Sequence, residues 1–325
     1  MSPSGSRKVD LPWREMLQRI EAAYSPNTIR CYRYDFTVFE DWCRKEGRSA
    51  LPATPETVAL FVLVRGEADA SATVRRRLAA ISRIHCMLKY GCPIHTEEVN
   101  IAIRTVIRQK GCWQAQALGL TAALKQQLIN ACPDSLRGLR DRALLAVGYD
   151  SLCRRSELVQ LQIENLSISP DSSGSILVRQ SKSIQYGEVR LAYLSVETMD
   201  HLQNWLRASA LVSGSIFRGI SGSIVMRDAL HPYSVARVLK DCAEAADLDH
   251  SVVERLSGHS MRVGAAQDMV AAGIDIAAIM HAGGWKSPDM VMRYAEHMDI
   301  RHSGMAKLYS AMRALGDQRP DLVER

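Results

Sequence analysis

The sequence predicts a mainly α-helical protein with a small antiparallel β-sheet, divided into a helical N-terminal domain and a larger second domain. Apolar residues recur at every third or fourth position along most of the chain, which is the period of an amphipathic helix. Alternation of apolar and polar residues, the period of a strand, is concentrated between residues 163 and 194. The length of 325 residues exceeds the ~100–200 residues of one domain, so two separate cores are expected.

The N-terminal third carries start signals for several helices. Ser25-Pro26 and Thr54-Pro55 each place a hydroxyl at a capping position and a proline in the first turn, and Gly47 suits the end of the first of these helices. Further helices are predicted over residues 71–90 and 96–108. The helix over 71–90 has one apolar stripe and carries Arg76 and Arg83 on its other face. The stripe consists of Val74, Leu78, Ile81, Ile84 and Leu88.

The net charge of +6 lies entirely in the N-terminal third. Residues 1–115 contain 18 Lys and Arg against 12 Asp and Glu, whereas the remaining chain contains 23 of each kind. This asymmetry favours a polyanionic partner, most simply nucleic acid, although a solvated basic face is the open alternative. The candidate DNA-contacting residues of this domain, residues 1–110, are Arg75, Arg76, Arg83, Lys89, Arg104 and Arg108.

A linker is predicted over residues 111–120, where glycines and a Gln-Ala-Gln-Ala run interrupt the helical period. The second domain, residues 121–325, is predicted to begin with two helices and a three-stranded antiparallel sheet, and to be helical again from Ser195 onward. Its predicted helices precede and follow the strands at 163–168, 175–179 and 189–194. They cover 121–131, 137–149, 198–211, 233–246, 260–272, 274–282, 288–297 and 304–315.

Several functional classes lack support in the sequence. The eight cysteines include no C-x-x-C pair, so we interpret them as reduced thiols of a cytosolic protein. The first residues show no charged stretch followed by an apolar one, so we expect no secretory leader, and the longest apolar stretch, residues 58–64, is too short to span a membrane. Nucleotide-binding glycine motifs, the zinc protease motif and metal-ligand spacing of the histidines are all absent. We therefore expect no cofactor, no metal, no membrane association and no small-molecule substrate.

Three segments of the second domain place unusual polar residues beside apolar ones. The first contains Arg154, Arg155 and Glu157, for which a helix-start ion pair is the simple explanation. The second contains His259 and Arg262, which are three residues apart on a helix and can face one ligand, although a capping His and a surface Arg would also fit. Arginine matches two phosphate oxygens, and histidine transfers protons near neutral pH. The third runs from AGGW at 282–285 to VMRY at 291–294.

In this order and at this separation, the three segments resemble the tyrosine recombinase (phage integrase) family. The likeness is strongest over residues 257–296, in GHSMRVGAAQDM, AGGW and VMRY, and a looser likeness covers residues 20–315. It implies that the two domains form a C-shaped clamp around duplex DNA, in which the second domain is catalytic. It also implies a homotetramer on DNA with inverted-repeat sites, in which a helix at about 304–315 docks on a neighbouring protomer or packs on its own.

The resemblance also implies a role for each site residue. Tyr294 would be the nucleophile, with Arg154 and Arg262 on the scissile phosphate, His259 and Trp285 supporting them, and Glu157 as the acidic buttress. Lys182 would be the general acid, since it is the only lysine near the sheet turn where the family places one. Arg155 remains a second candidate for the first arginine, although the position of Glu157 favours Arg154.

The implied activity is site-specific recombination through a 3′-phosphotyrosine intermediate and a Holliday junction, without a cofactor. Two alternatives stay open at this point. One is a DNA-binding protein that has lost catalysis, although six matching site residues argue against it. The other is a single-duplex enzyme of the type IB topoisomerase or telomere resolvase kind. We expect a cytoplasmic, nucleoid-associated protein of bacterial, plasmid or phage origin.

Overall fold

A computed structural model describes residues 12–111, 116–179 and 189–295, with 305–306, 308–309 and 312–313. The chain divides into two compact units, residues 1–116 and 117–325. The division falls inside the predicted linker, but Leu118 and Leu120 already belong to the second unit. Leu120 is fully buried there, and its N–H donates to the carbonyl of Ser260 over 2.8 Å. Among the described residues, no helix is both long enough and apolar enough to cross a bilayer.

The N-terminal unit is a bundle of helices around one apolar core. Within residues 12–111 its helices are α1 (Pro12–Arg19), α2 (Pro26–Lys45), α3 (Pro55–Ala68), α4 (Ser71–Met87) and α5 (Glu97–Lys110). The start signals in the sequence function as predicted, because Ser25 and Thr54 accept hydrogen bonds from the N–H groups of Thr28 and Thr57. Helix α1 was not predicted from the sequence, although Trp13 and Leu17 are fully buried in the core.

A buried histidine makes the N-terminal unit sensitive to acid. The Nε2 atom of His85 accepts from the N–H of Ala53 over 2.9 Å, so its Nδ1–H donates to the carbonyl of Ile81 over 2.8 Å. Only a neutral ring makes both bonds, and burial lowers the pKa of His85 below its ordinary value of 6.5. This stabilisation is therefore complete above pH ~6.5 and is lost as the pH falls below it, because the unfolded chain then binds the additional proton.

We expect the wild-type protein to lose more stability between pH 7 and pH 5 than a His85→Gln protein. The variant is less stable at pH 7, because it loses the paired ring, but it lacks this titrating group. Urea unfolding followed by tryptophan fluorescence at the two pH values measures the difference, and Trp13 and Trp42 report on this unit. An identical loss in both proteins would show that His85 does not titrate on unfolding.

The described part of the second unit contains helices and two small antiparallel sheets. Its helices are α6 (Ala122–Ala131), α7 (Leu136–Asp150), α8 (Arg155–Leu158), α9 (Val196–Ser209), α10 (Pro232–Ala245), α11 (His250–Arg255), α12 (Ser260–Ala271), α13 (Ile276–Gly283) and α14 (Pro288–Ala295). One sheet has the order β1 (Leu166–Ile168), β2 (Gly174–Arg179) and β3 (Val189–Leu194), and the other pairs β4 (Arg218–Ser221) with β5 (Ile224–Ala229). In the first sheet Gly174 lies opposite Leu194, and Arg179 lies opposite Val189.

The prediction that the chain is helical again from Ser195 onward missed two strands, which lie between the predicted helices at 198–211 and 233–246. Strands β4 and β5 form a hairpin around Gly222, whose φ of +59° suits a tight turn. Ile224 and Met226 in β5 are exposed, so the hairpin lacks the buried alternation that marks a strand in the sequence. Helix α11 was also not predicted, because only Val253 of its six residues is buried.

The apolar packing of the second unit brings the three polar segments together. Helix α7 lies in its centre, and residues 143–147 of this helix are almost completely buried. A separate apolar cluster joins the end of α7 to α12, α13 and α14 and includes two of the predicted site residues, Trp285 and Tyr294. Its buried members are Leu152, Val263, Ala265, Ala266, Ile279, Trp285, Val291 and Tyr294.

Candidate active site

Arg154 and Glu157 form the first part of the site, at the start of α8. Both the backbone N–H and the Nη1 atom of Arg154 donate to the Glu157 carboxylate, over 2.9 and 2.6 Å. Glu157 is buried, whereas about a third of the Arg154 side chain is exposed. The carboxylate therefore fixes one side of the guanidinium and leaves its other N–H groups available to a ligand. The helix-start ion pair expected from the sequence is thus compatible with a functional arginine.

Arg262 is a buried cation without a carboxylate partner among the described residues. It is 1% exposed, its Nη1 atom donates to the carbonyl of Leu152, and its Cζ atom lies 4.1 Å from the centre of the Trp285 ring. Its Nη2 atom is buried and has no hydrogen-bond partner. Burial and the positive charge of Arg154 lower the pKa of Arg262 to about 10, so the side chain remains charged at neutral pH. The unpaired donor is available to an anion.

His259 and Tyr294 meet beside these arginines. The Tyr294 hydroxyl lies 3.5 Å from Nε2 of His259, a long distance for a hydrogen bond, as is common in catalytic sites without substrate. Tyr294 is almost fully buried on α14, whereas His259 is exposed at the start of α12. Loss of water around the ring and the positive charges of Arg262 and Arg154 lower the pKa of His259 to about 4. The lowered pKa leaves the His259 ring neutral at pH 7.

Trp285 forms the apolar wall of the site. Its ring centre lies 5.6 Å from that of Tyr294, and the ring also contacts the Arg262 guanidinium. The two preceding glycines allow this position. A Cβ atom on Gly283 would lie only 2.0 Å from the Trp285 ring, and Gly284 ends α13 with a φ of +63°.

The structure therefore brings together six of the seven residues predicted to be catalytic. Arg262, Trp285, Tyr294 and His259 are linked by the contacts above, and Arg154, which pairs with Glu157, is close enough for its charge to lower the pKa of Arg262 and His259. Lys182, the seventh, lies outside the described residues. Arg155, the alternative first arginine, contacts Tyr233 instead of Glu157, with its Cζ atom 4.7 Å from the ring centre. Among the described residues, no group of three His, Cys, Asp or Glu side chains forms a metal site.

Arg190 is a candidate positioning residue that the sequence analysis did not identify. It lies buried on β3 and donates to the carbonyl of Ser151 over 2.8 Å and to that of Ala282 over 2.7 Å. Ser151 precedes Leu152, which binds Arg262, and Ala282 precedes the glycines that position Trp285. No carboxylate in the described part of the chain pairs with Arg190. Since the sequence places it as an ordinary charged residue in a strand, only the folded chain reveals these contacts.

An Arg190→Met protein is expected to lose about 3 kcal/mol of stability, because two buried carbonyl groups lose charged donors. We also expect it to cleave DNA more slowly at temperatures at which it remains folded, whereas Arg190→Lys retains part of both properties. Thermal unfolding and single-turnover cleavage measure the two effects. A normal cleavage rate in the folded Met variant would limit Arg190 to a role in stability.

The six predicted DNA-contacting residues lie in the N-terminal unit, and two of them, Arg76 and Arg83, have partners that hold them against this unit. Arg76 makes two hydrogen bonds to the fully buried carboxylate of Asp35, over 2.7 and 2.9 Å, although about half of the Arg76 side chain is exposed. The Cζ atom of Arg83 lies 5.3 Å from the centre of the Tyr24 ring. Both arginines therefore contribute to the packing of this unit, and a DNA contact by either remains a prediction.

The other four candidates are exposed. Arg104 pairs with the equally exposed Glu97 over 3.4 Å, a contact that contributes little in water. Arg75, Lys89 and Arg108 are exposed on α4, after its end and on α5, respectively. In the predicted helix at 304–315, the described residues are helical, and Met305, Leu308, Tyr309 and Met312 are exposed.

Comparison with protein families identifies two matching regions. Residues 120–301 match the phage integrase family, and residues 13–89 match the phage integrase N-terminal SAM-like domain. The first region covers the second unit from Leu120 through Tyr294, and the second covers α1 to α4.

Individual proteins of this kind are similar along most of the chain. An integrase/recombinase XerD homologue of Selenomonas ruminantium is 31% identical over 307 residues, covering 90% of this chain and 88% of the relative. The Cre recombinase of Escherichia phage P1 is 25% identical over 307 residues, covering 89% and 90%. The fold also resembles that of the lambda integrase tetramer bound to a Holliday junction, with a TM-score of 0.61, 15% identity and coverage of 87% and 76%. The chain belongs to the phage integrase family and is a site-specific recombinase of the tyrosine type.

Proposed function

We propose that Tyr294 is the nucleophile with which this recombinase cleaves duplex DNA. The observation that carries the proposal is the position of its hydroxyl, 3.5 Å from His259, in an apolar cluster that also contains the tryptophan beside Arg262. The tyrosine oxygen forms a bond to the scissile phosphorus, and the bond from phosphorus to the 5′-oxygen breaks. The products are a 3′-phosphotyrosine and a strand that ends in a 5′-hydroxyl.

Arg154 and Arg262 are the groups that we assign to the scissile phosphate. A phosphodiester anion repels an attacking phenolate, and additional negative charge collects on the phosphate oxygens in the transition state. Arg262 provides an unpaired, buried Nη2 donor, and Arg154 provides the N–H groups that Glu157 leaves free. Both guanidiniums are held in place before DNA binds, so little reorganisation is needed as charge develops.

Proton transfer is assigned to His259 and Lys182. A neutral His259 can accept the Tyr294 proton, and the arginine charges that lower its pKa keep it neutral at pH 7. The resemblance to the family assigns Lys182 as the acid that protonates the departing 5′-oxygen. Attack by a 5′-hydroxyl of a second duplex reverses the cleavage chemistry, and two rounds of exchange proceed through a Holliday junction. The phosphotyrosine conserves the energy of the broken bond, so no cofactor is required.

The proposed substrate is duplex DNA with inverted-repeat sites, bound by a homotetramer in which each protomer clamps its site with both domains. The solved lambda integrase complex, a tetramer on a Holliday junction, supports this assembly by likeness of fold. Four exposed apolar residues at 305–312 supply a surface through which neighbouring protomers could associate. We propose a cytoplasmic, nucleoid-associated protein, in agreement with bacterial and phage relatives.

Trapping of a covalent complex tests this proposal. The substrates are nicked duplexes made from inverted repeats beside the gene, because the nick lets the short cleaved fragment leave and so prevents religation. We expect a protein–DNA adduct that survives a denaturing gel and joins the protein to the 3′-phosphate. A native-gel shift without any adduct would contradict the proposed cleavage at that site. Plasmids with one or two sites then separate recombination, which needs two, from simple relaxation of one duplex.

A further inference from the structure

Arg155 is an exposed cation stacked on an exposed aromatic ring. Its Cζ atom lies 4.7 Å from the centre of the Tyr233 ring at the start of α10, and Tyr233 is 58% exposed. Arg154 pairs with Glu157, but no carboxylate in the described ranges forms an ion pair with Arg155. Stacking covers one face of the guanidinium and restricts its orientation, while the N–H groups at its edge remain available.

Arg155 lines a cleft that also contains two of the proposed catalytic residues, Arg154 and His259. Arg154, Arg155, Ser156, Ser257, Gly258 and His259 line this cleft, whose volume is about 360 Å³. Gly258 provides the space for the Arg155 side chain, because a Cβ atom at 258 would lie 3.0 Å from Arg155 Cδ. The positive charge of Arg155 also contributes to the low pKa of His259. The two arginines therefore act on one cleft from different sides.

We propose that Arg155, held by Tyr233, binds a DNA backbone phosphate next to the scissile phosphate. The inference rests on the proposed function, because it takes the scissile phosphate to lie on Arg154 and Arg262. Arg154 and Arg155 are adjacent in the chain, but Glu157 holds one side chain and Tyr233 holds the other. The two arginines can therefore bind two different phosphates of one strand.

A phosphodiester fits this site better than a base edge. The guanidinium offers a planar set of donors that pairs with two oxygens of one phosphate, and the tyrosine ring fixes the plane before binding. The contact carries no sequence preference, so it would position the cleaved strand on any target site. If the stack only stabilised α8 against α10, the protein would not distinguish a charged phosphate from a neutral one there.

Neutral backbone substitutions provide the test. Duplexes carry one methylphosphonate at a time, at each of the phosphates that flank the cleavage site, and binding is measured by anisotropy over a range of salt concentrations. The proteins are wild type, Arg155→Ala, Tyr233→Leu and Tyr233→Phe. The matched control is Arg207→Ala, which removes an exposed arginine that is hydrogen-bonded to Asn204 at the end of α9.

We expect Arg155→Ala to bind the unmodified duplex about tenfold more weakly, with a salt slope smaller by about 0.9, the value for one phosphate contact. A methylphosphonate at one position should weaken DNA binding by the wild-type protein by a similar factor and leave binding by Arg155→Ala unchanged. DNA binding by Tyr233→Leu should be less sensitive to the methylphosphonate than binding by the wild type. Tyr233→Phe should retain the wild-type sensitivity, since Phe keeps the ring. Arg207→Ala should resemble the wild type.

An unchanged salt slope in Arg155→Ala, or sensitivity to every methylphosphonate equal to that of the wild type, would overturn the inference. Failure of the proposed function gives a different result. In that case the wild-type protein forms no covalent adduct on the unmodified duplex, whatever the phosphate dependence of binding. Adduct formation therefore tests the proposed function, and the dependence of binding on the methylphosphonate position tests the role of Arg155.

Discussion

A Tyr294→Phe protein is expected to form no covalent adduct with nicked duplex DNA while binding the same DNA with nearly wild-type affinity. The substitution removes only the oxygen that would join the phosphate. Loss of a nucleophile in an enzyme with a covalent intermediate costs on the order of 10⁶-fold in rate, which places any remaining cleavage below detection on a gel.

The surroundings of Tyr294 explain why binding should survive. The phenylalanine ring can keep the contact with Trp285, whose ring centre lies 5.6 Å away, and it remains within the apolar cluster that includes Val291. The lost hydroxyl makes only a 3.5 Å contact to His259, so its removal leaves no strongly paired group without a partner. Denaturing gels measure the adduct, and native gels measure binding.

A matched control uses another tyrosine of the same unit. Tyr193 is exposed on β3 and belongs to neither the apolar cluster nor the cleft, so Tyr193→Phe should form the adduct as the wild type does. Equal adduct formation by Tyr294→Phe and wild type would mean that a different side chain attacks the phosphate. Loss of adduct in both variants would point to an indirect effect of changing tyrosines.

The helices of the N-terminal unit were largely predictable, because their signals are local. Ser25 and Thr54 cap the helices that they were expected to start, and Gly47 follows α2 with a φ of +64°. The stripe on α4 is buried from Val74 to Ile84. The partners of the charged residues depend on distant parts of the chain. Arg76 seemed free on its helix, yet it binds Asp35, which lies 41 residues earlier.

In the second unit, too, only elements with a clear local pattern were predictable. Strands β1 to β3 alternate visibly in the sequence because β2 and β3 each have one buried face. The β4–β5 hairpin is mostly exposed, so this alternation is missing from its sequence and no strand was predicted there. Only the tight turn at Gly222, with its positive φ, distinguishes the hairpin from the helical segments on either side.

Prediction of the site residues depended on the likeness of three segments to a known family. Spacing alone places His259 and Arg262 on one helix, but it cannot bring either to Tyr294, which lies more than 30 residues away. Packing of Val263, Ile279 and Val291 in one cluster brings these helices together. The same packing explains why Arg190 was missed, since its bonds to Ser151 and Ala282 join segments that are 131 residues apart in the sequence.

Arg262→Met is expected to abolish cleavage without lowering the stability of the protein. Arg262 is 1% exposed, has no carboxylate partner among the described residues, and keeps its Nη2 atom unpaired. Transfer of a charged group from water into the protein interior costs several kcal/mol of folding free energy. A buried Leu152 carbonyl that has lost its donor costs about 1–3 kcal/mol. Methionine has a similar length and can pack against Trp285. The substitution therefore removes the cost of the buried charge, which is larger than the stabilisation lost with the hydrogen bond to Leu152.

The expected loss of activity follows from the same unpaired donor. Removing one donor that stabilises developing charge lowers the rate by about 10²–10³-fold, and Arg262→Met removes the whole guanidinium. Arg262→Lys should recover little, because an ammonium is a compact point charge without the planar fork that pairs with two phosphate oxygens. Single-turnover adduct formation measures the rate, and thermal unfolding measures stability.

Binding of DNA provides a second measurement for the same variant. Short duplexes should raise the melting temperature of the wild-type protein by more than that of Arg262→Met, because only the wild type gains a phosphate partner for the buried charge. A variant that melts well below the wild type, with an unchanged response to DNA, would mean that Arg262 mainly supports the fold. A variant that is at least as stable but inactive would show that the fold tolerates an unfavourable buried cation for the sake of the reaction.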